Sequence, residues 1–284
     1  MEAVRRVCEE YVEGWYAGDA GRIERSVHPE FSKRYIRRFA SGAEFLEEIG
    51  ASKFIEWTAC GQSEGTPEDG RTVEVTILDC FARAAMARVS YSPWGVEYLQ
   101  LGKLGASWKI VNALSQAQDS APAAPPSVAN SNLNEKPTGS EADKDSIAEA
   151  VRDYGEGWCT GDVSRMARVT HPQWSKKGFR LGRPGSFFLE SWGADKMTAW
   201  VAATEHQATT VVQPMEITVL DRYGDIAATR LAWELSADGF PRDVDYLVVA
   251  KIKHQWRAIN IIWDSDRAQG DPDLTLGSGE TWQW

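Results

Sequence analysis

YVEGWYAGDAGRIERSVHPEFSKRYIR at residues 11–37 is written a second time as YGEGWCTGDVSRMARVTHPQWSKKGFR at residues 154–180. Thirteen of the 27 aligned positions are identical, among them Tyr11/Tyr154, Trp15/Trp158, Asp19/Asp162 and His28/His171. A chain of 284 residues has room for one large domain or two ordinary ones, and the repeat favours two. The repeat is either a site used twice or a structural signature used twice, and its surroundings decide between them.

Working outward, Val4, Val7, Cys8, Tyr11, Val12 and Trp15 follow the helical i, i+3/i+4 rhythm. Gly18 breaks that helix and Asp19 is placed to cap a second, which carries Ile23 and Val27 and ends at Pro29. Ser41-Gly42-Ala43-Glu44 before Phe45, Leu46 and Ile49 matches a capping box and predicts a third helix. The remainder is strand-like: 72–81, 82–91, 96–104 and 107–114, matched in the second copy by PMEITVLDRY, DIAATRLAWEL, VDYLVVAKIK and QWRAINIIW. Glu74/Glu216, Asp79/Asp221, Arg88/Arg230, Tyr98/Tyr246 and Asn112/Asn260 pair between the copies, and the second adds a longer loop, 236–243. Helices followed by an antiparallel meander is the α+β pattern.

The stretch 115–145, rich in Ala, Pro, Ser and Asn, is too poor in large apolar residues to fold and reads as a linker. The expected division is domain 1 at 1–115, linker 116–144, domain 2 at 145–264 and an acidic tail at 265–284 ending in ETWQW. VDYLVVAKI is apolar on both faces, Val244, Tyr246 and Val248 on one, Leu247 and Val249 on the other. An antiparallel sheet with one wet face alternates, so the second face is expected to be covered by the other domain, an intramolecular pseudo-dimer.

The net charge of −10 lies largely outside the repeats: residues 1–115 carry −3 and 143–263 carry −1. Near-neutral domains lack the basic face of a nucleic-acid binder. Cys8, Cys60, Cys80 and Cys159 are scattered without CxxC, which fits a reduced compartment with cysteines as small buried hydrophobes. With no signal segment and no apolar stretch of about 18 residues, the reading is a cytoplasmic protein without membrane contact.

Helix–GD–helix–HP, a third helix and a meander ending in (D/E)YL…K…W(K/R) resembles the SnoaL-like group, and more closely the putative lumazine-binding family of the nuclear transport factor 2-like superfamily. Tyr11, Gly14, Asp19, His28-Pro29, Glu97-Tyr98-Leu99, Lys103 and Trp108-Lys109-Ile110 carry the likeness. Tyr154, Gly157, Asp162, His171-Pro172, Asp245-Tyr246-Leu247, Lys251 and Trp256-Arg257-Ala258 carry it again. The resemblance implies a cone-shaped (cystatin-like) domain in which a curved antiparallel sheet wraps the first helix, leaving a pocket at the open end. Members include enzymes, small-molecule binders and non-catalytic partner domains, so the fold alone does not name the function.

Tyr11 sits where an isomerase of this superfamily keeps a carbonyl-polarising tyrosine, but SKRYIRR offers no carboxylate base, and Gln100 and Val248 stand where a second acid is needed. His28 and His171 are the best candidates for proton transfer, with Asp19/Asp162 or Glu97/Asp245 as partners. Read structurally, each ends a helix and interacts with its dipole. Metal is not expected: no HxH or HExxH occurs, and His206 and His254 have no counterparts in the first copy.

Of Lys33, Arg34, Arg37 and Arg38, echoed by Lys176, Lys177, Arg180 and Arg183, Arg37 and Arg180 suit an anion clamp at a pocket mouth. A charged edge strand is the structural alternative. Tyr11, Trp15, Trp57 and Tyr98, with Tyr154, Trp158, Trp200 and Tyr246, supply aromatic walls for a flat organic ligand, or equally core packing. The expectation is a non-catalytic small-molecule binder without cofactor. A SnoaL-like lyase, isomerase or cyclase and a protein-interaction pair are the alternatives. Gly155, Cys159 and Gly178 replace Val12, Tyr16 and Tyr35, so the two pockets need not be equivalent.

Overall fold

A computed structural model describes residues 1–39, 41–61, 70–117, 141–181, 186–204, 215–233 and 243–265. Linker residues 118–140, loop residues 236–242, Arg183, His206 and tail residues 266–284 lie outside the described residues. The first half runs α1 (Glu2–Ala17), α2 (Ala20–Ser26), β1 (Val27–Arg38), β2 (Glu44–Gly50), α3 (Ala51–Ala59), β3 (Val73–Phe81), β4 (Ala84–Tyr91), β5 (Gly95–Leu104) and β6 (Ser107–Gln116). The second repeats it as α4 (Glu141–Thr160), α5 (Val163–Val169), β7 (Thr170–Leu181), β8 (Phe187–Gly193), α6 (Ala194–Thr204), β9 (Met215–Tyr223), β10 (Ile226–Trp233), β11 (Asp243–Ile252) and β12 (Gln255–Ser265).

Much of the repeated stretch builds the corner between the first two helices. Gly18 (φ 66°) and Gly161 (φ 69°) end α1 and α4 in the left-handed conformation that glycine adopts without cost. Asp19 and Asp162 then cap the next helix, accepting from the backbone N–H of Arg22 (3.0 Å) and Arg165 (2.8 Å). Gly14 and Gly157 let the helices touch: a Cβ would stand 2.8 Å from Cβ of Arg22 and 2.7 Å from Cγ of Met166. Arg22 Nε reaches back to Glu10 at 3.0 Å, and Arg165 Nε to Asp153 at 2.7 Å.

Five expectations need correction. Helix α2 ends at Ser26, so His28 and Pro29 belong to β1 and do not end a helix. Residues 44–50, read as a capped helix, are strand β2, because they pair with β1 from Ser32↔Gly50 to Arg38↔Glu44. The Ser41 hydroxyl accepts from Ala43 N–H within the hairpin turn, and the helix waits until Ala51. Strand β1 is not an edge: the sheet order is β2-β1-β6-β5-β4-β3, repeated as β8-β7-β12-β11-β10-β9. Nor is the sheet wholly antiparallel, since β1 runs parallel to β6 and β7 parallel to β12. Of the four cysteines only Cys8 is buried; Cys60 and Cys80 are exposed.

Each sheet has two apolar faces. One packs on its own helices: Val4, Tyr11, Trp15, Phe54, Leu99 and Leu101 share a core in the first half, and Tyr154, Met197, Leu247 and Val249 share one in the second. The other faces form a single cluster drawn from both halves, including Met86, Tyr98, Val111, Val244, Tyr246 and Val248. The alternation in VDYLVVAKI is divided as its pattern requires, with Tyr246 toward the other half and Leu247 toward its own helices.

Contacts between the halves are reciprocal. Tyr98 OH donates to Asp221 Oδ2 at 2.9 Å and Tyr246 OH to Asp79 Oδ2 at 3.0 Å, with Arg88 beside Asp221 (3.5 Å) and Arg230 beside Asp79 (3.1 Å). These are the residues the two copies share, so one surface patch meets its own equivalent, as in a two-fold interface. Buried Arg34 donates to Ser175 Oγ (2.8 Å), Ile259 O (3.3 Å) and Asn260 Oδ1 of the second half while holding Glu48 at 2.9 Å. Its counterpart Lys177 donates to Glu30 O (2.5 Å) and Val111 O (2.9 Å) of the first.

Lys177 makes stability pH-dependent. Burial, with the Arg34 charge nearby, lowers its ammonium to about 7. Two carbonyl acceptors suit the two hydrogens of the neutral amine. Above pH 7 the unfolded chain, with an ordinary lysine near 10.5, binds the proton that the folded chain releases. Unfolding free energy therefore rises with pH, by about 1 kcal/mol from pH 7 to 8. Above about pH 9 the sign reverses, because burial pushes Cys8 up to about 12 and holds Tyr11 and Tyr91 well above the usual tyrosine range. Urea unfolding at pH 7 and 8 should show the rise in the native chain and a flat profile in Lys177→Met.

Candidate functional site

The strand that brings Arg34 to the interface turns its neighbour Lys33 the other way, into the cone of the first half. Lys33 Nζ donates to Glu97 Oε1, to Tyr11 OH at 3.0 Å and to Tyr91 OH at 3.4 Å. Glu97 on β5 also accepts from Tyr11 OH (2.9 Å), Tyr91 OH and Ser115 Oγ (2.8 Å). Burial favours the neutral acid, but the Lys33 charge and these hydroxyls outweigh it, so Glu97 is held below the usual carboxylate range. Lys33 lies over the Phe54 ring at 4.8 Å and the Tyr11 ring at 5.5 Å, adding cation–π attraction.

Above this ion pair opens a cavity of about 610 Å³, within the range of small-molecule sites. Trp15, Phe54, Trp57 and Trp94 form aromatic walls, Lys33, Tyr91, Glu97 and Ser115 its polar floor, and Arg37 stands at its border. Trp15 stacks on Phe54 at 5.2 Å and meets Trp94 edge-on at 5.8 Å. Arg37 is paired with Glu47 at 2.5 Å and Arg38 with Glu44 at 2.7 Å and Asp225 at 2.8 Å. Each cation of the site thus already has an anion, which weakens the case for Arg37 as an anion clamp.

Of the ligand-binding candidates expected in the first half, Trp15, Arg37 and Trp57 border this cavity. Tyr11 lies beneath it, fully buried against Glu97, where no substrate carbonyl reaches its hydroxyl. Tyr98 and Tyr246 are corrected outright: they are buried on the opposite sheet face, each bonded to an aspartate of the other half. Gln100, at the isomerase acid position, is likewise spent on that interface, donating to Tyr246 O at 2.8 Å.

The histidines stand apart. Nδ1 of His28 accepts from Glu30 N–H and Nδ1 of His171 from Gln173 N–H, both at 3.1 Å. Burial lowers both imidazoles, so at neutral pH each is uncharged with its proton on Nε2 and its free lone pair engaged. His28 does not border the large cavity; His171 borders a separate one of about 250 Å³ with Trp174 and Asp195. The proposed partners are engaged elsewhere, Asp19 and Asp162 as caps, Glu97 and Asp245 with lysines.

The second cone keeps the plan with different contents. Lys176 Nζ donates to Asp245 Oδ2 (2.9 Å) and Tyr154 OH (3.1 Å), and Tyr154 OH to Asp245 Oδ2 (3.2 Å). The Lys176 ammonium sits over Trp158 at 4.7 Å, and Trp200 packs on Trp192 at 5.5 Å. Sequence reading passed over Lys33 and Lys176, although both are identical in the repeat, by treating the basic run as one face. In a strand, Lys33 and Arg34 necessarily point opposite ways. Among the described residues, no group of three or more His, Cys, Asp or Glu could hold a metal, and no helix is long and apolar enough to cross a membrane.

The sequence profile of the family described as putative lumazine-binding matches residues 1–115 and 142–264. No curated protein matches the chain. Among solved structures, a nuclear transport factor 2-like protein of unknown function from Methylobacillus flagellatus KT is 17% identical over 46% of this chain and 98% of its own, with a TM-score of 0.38. A cystatin-like protein of unknown function from Nostoc punctiforme PCC 73102 is 15% identical over 46% and 96%, TM-score 0.35. A putative aromatic ring hydroxylase from Novosphingobium aromaticivorans DSM is 14% identical over 46% and 94%, TM-score 0.35. Each spans about half of this chain. The architecture is α+β: two halves, each with helices followed by a mixed six-stranded sheet.

Proposed function

Because the chain belongs to the putative lumazine-binding family, we propose that it is a non-catalytic binder of a flat organic molecule, held in the cone of the first half. The observation that carries this is the cavity of about 610 Å³ with Trp15, Phe54, Trp57 and Trp94 around the Lys33–Glu97 pair. A cavity of that size also speaks against an interaction domain packed shut. The carboxylate at its floor is ionised but receives four donors, so it is poorly placed to take a proton from a ligand. The neutral, backbone-bonded histidines leave the lyase, isomerase and cyclase reading without its base. In this reading the two halves, 1–115 and 145–264, form an intramolecular pseudo-dimer, supported by the reciprocal Tyr98–Asp221 and Tyr246–Asp79 bonds.

Native mass spectrometry of freshly purified chain should show a small molecule bound, and Trp57→Ala should weaken its retention about tenfold while leaving the fold intact. An empty chain, with no thermal shift across a panel of heterocycles and polyketides, would overturn the proposal.

A further inference from the structure

The two cones differ by an exchange of bulk across one pair of parallel strands. In the first, Tyr35 on β1 pairs with Ser115 on β6; in the second, Gly178 on β7 pairs with Trp263 on β12. Ser115 and Trp263 lie opposite the cone carboxylates Glu97 and Asp245 respectively, so both side chains rise on the cone face. The Trp263 indole lies directly over Gly178, where a Cβ would stand 1.8 Å from its Nε1. It also approaches Lys176, whose ammonium is 5.8 Å from the ring centroid.

Two further changes add bulk to this cone. Ile49, a wall residue of the first cavity, is replaced by Trp192, and Arg180 lies between the Trp192 and Trp263 rings at 5.1 and 5.6 Å. The guanidinium side chain is 17% exposed there, whereas Arg37, its equivalent, is 53% exposed. A planar bicyclic ring thus stands over the buried lysine and beneath a capping arginine, in the place that the serine of the first cone leaves open.

We propose that Trp263 is a built-in occupant of the second cone, so that the chain takes one ligand, in the first half, and that this ligand is a planar aromatic ring system of about indole size. Ser115 and Trp263 decide which cone is open. The inference rests on the first-half cavity being a ligand site.

Indole itself is the probe, titrated into the full-length chain by calorimetry. The native chain should bind one equivalent, Ser115→Trp none or at least tenfold more weakly, and Trp263→Ser two. Trp263→Ala serves as a second opening variant, and circular dichroism checks that each variant is folded. Should Ser115→Trp not fold, Ser115→Phe replaces it. Two equivalents in the native chain, or one in both opening variants, would overturn the plug while leaving the first-half site standing. Indole bound only by the opening variants would keep the plug and remove the first-half site. No binding by any folded variant would overturn the ligand class.

Discussion

Glu97→Leu destabilises the chain by about 3–5 kcal/mol, the largest loss expected from a single side chain at the site. The ammonium of Lys33, 11% exposed, then has no anion, and the hydroxyls of Tyr11, Tyr91 and Ser115 lose their common acceptor. Tyr91 and Ser115 face the cavity, where water can replace the carboxylate, but Tyr11 does not border it. The buried phenol therefore adds its own desolvation cost, about 1–3 kcal/mol when unsatisfied. The double variant Lys33→Met, Glu97→Leu should recover much of the loss, because removing both charges also removes the cost of burying them. Urea midpoints of the single and double variants measure this. A double variant as unstable as Glu97→Leu would show that packing, not the orphaned charge, sets the cost.

Gly178→Tyr is the second large loss, about 3 kcal/mol or more. A Cβ at Gly178 would fall 2.2 Å from Cε2 and 2.4 Å from Cδ1 of Trp263, so the indole must leave its place or the strands must separate. Adding Trp263→Ser recreates the Tyr35/Ser115 pairing that the first half already accommodates, and should restore most of the stability. The paired thermal transitions of Gly178→Tyr and the double variant test this. A double variant no better than the single would mean that Gly178 is required by the backbone of β7 and not by the bulk of Trp263.

The first-half site was only partly legible because a strand writes two surfaces into one run of residues. Glu97 and Tyr98 are neighbours, yet Glu97 reaches into the cone and Tyr98 into the opposite sheet. Tyr98 and Tyr246 read as pocket aromatics because they recur in both copies, and recurrence marks the reciprocal interface as strongly as it marks a pocket. Period-two alternation along (D/E)YL already separates the two roles. The misread of 44–50 has another origin: its local pattern fits a capped helix, and only pairing with β1 makes it a strand.

From residues alone came the duplication, the glycine-and-aspartate corner, the α+β order and a doubly apolar strand that needs cover on both faces. These depend on local backbone preference and on the periodicity of apolar side chains, which act over a few residues. The tertiary structure alone decided that Lys33 and Glu97 meet, that Tyr98 and Tyr246 face the other half, and that Trp263 lies over Gly178 beside Lys176 in one half where Ser115 borders the cavity of the other. Each of these rests on which strand lies beside which and in what register, and a one-residue shift would send every one of those side chains to the opposite face.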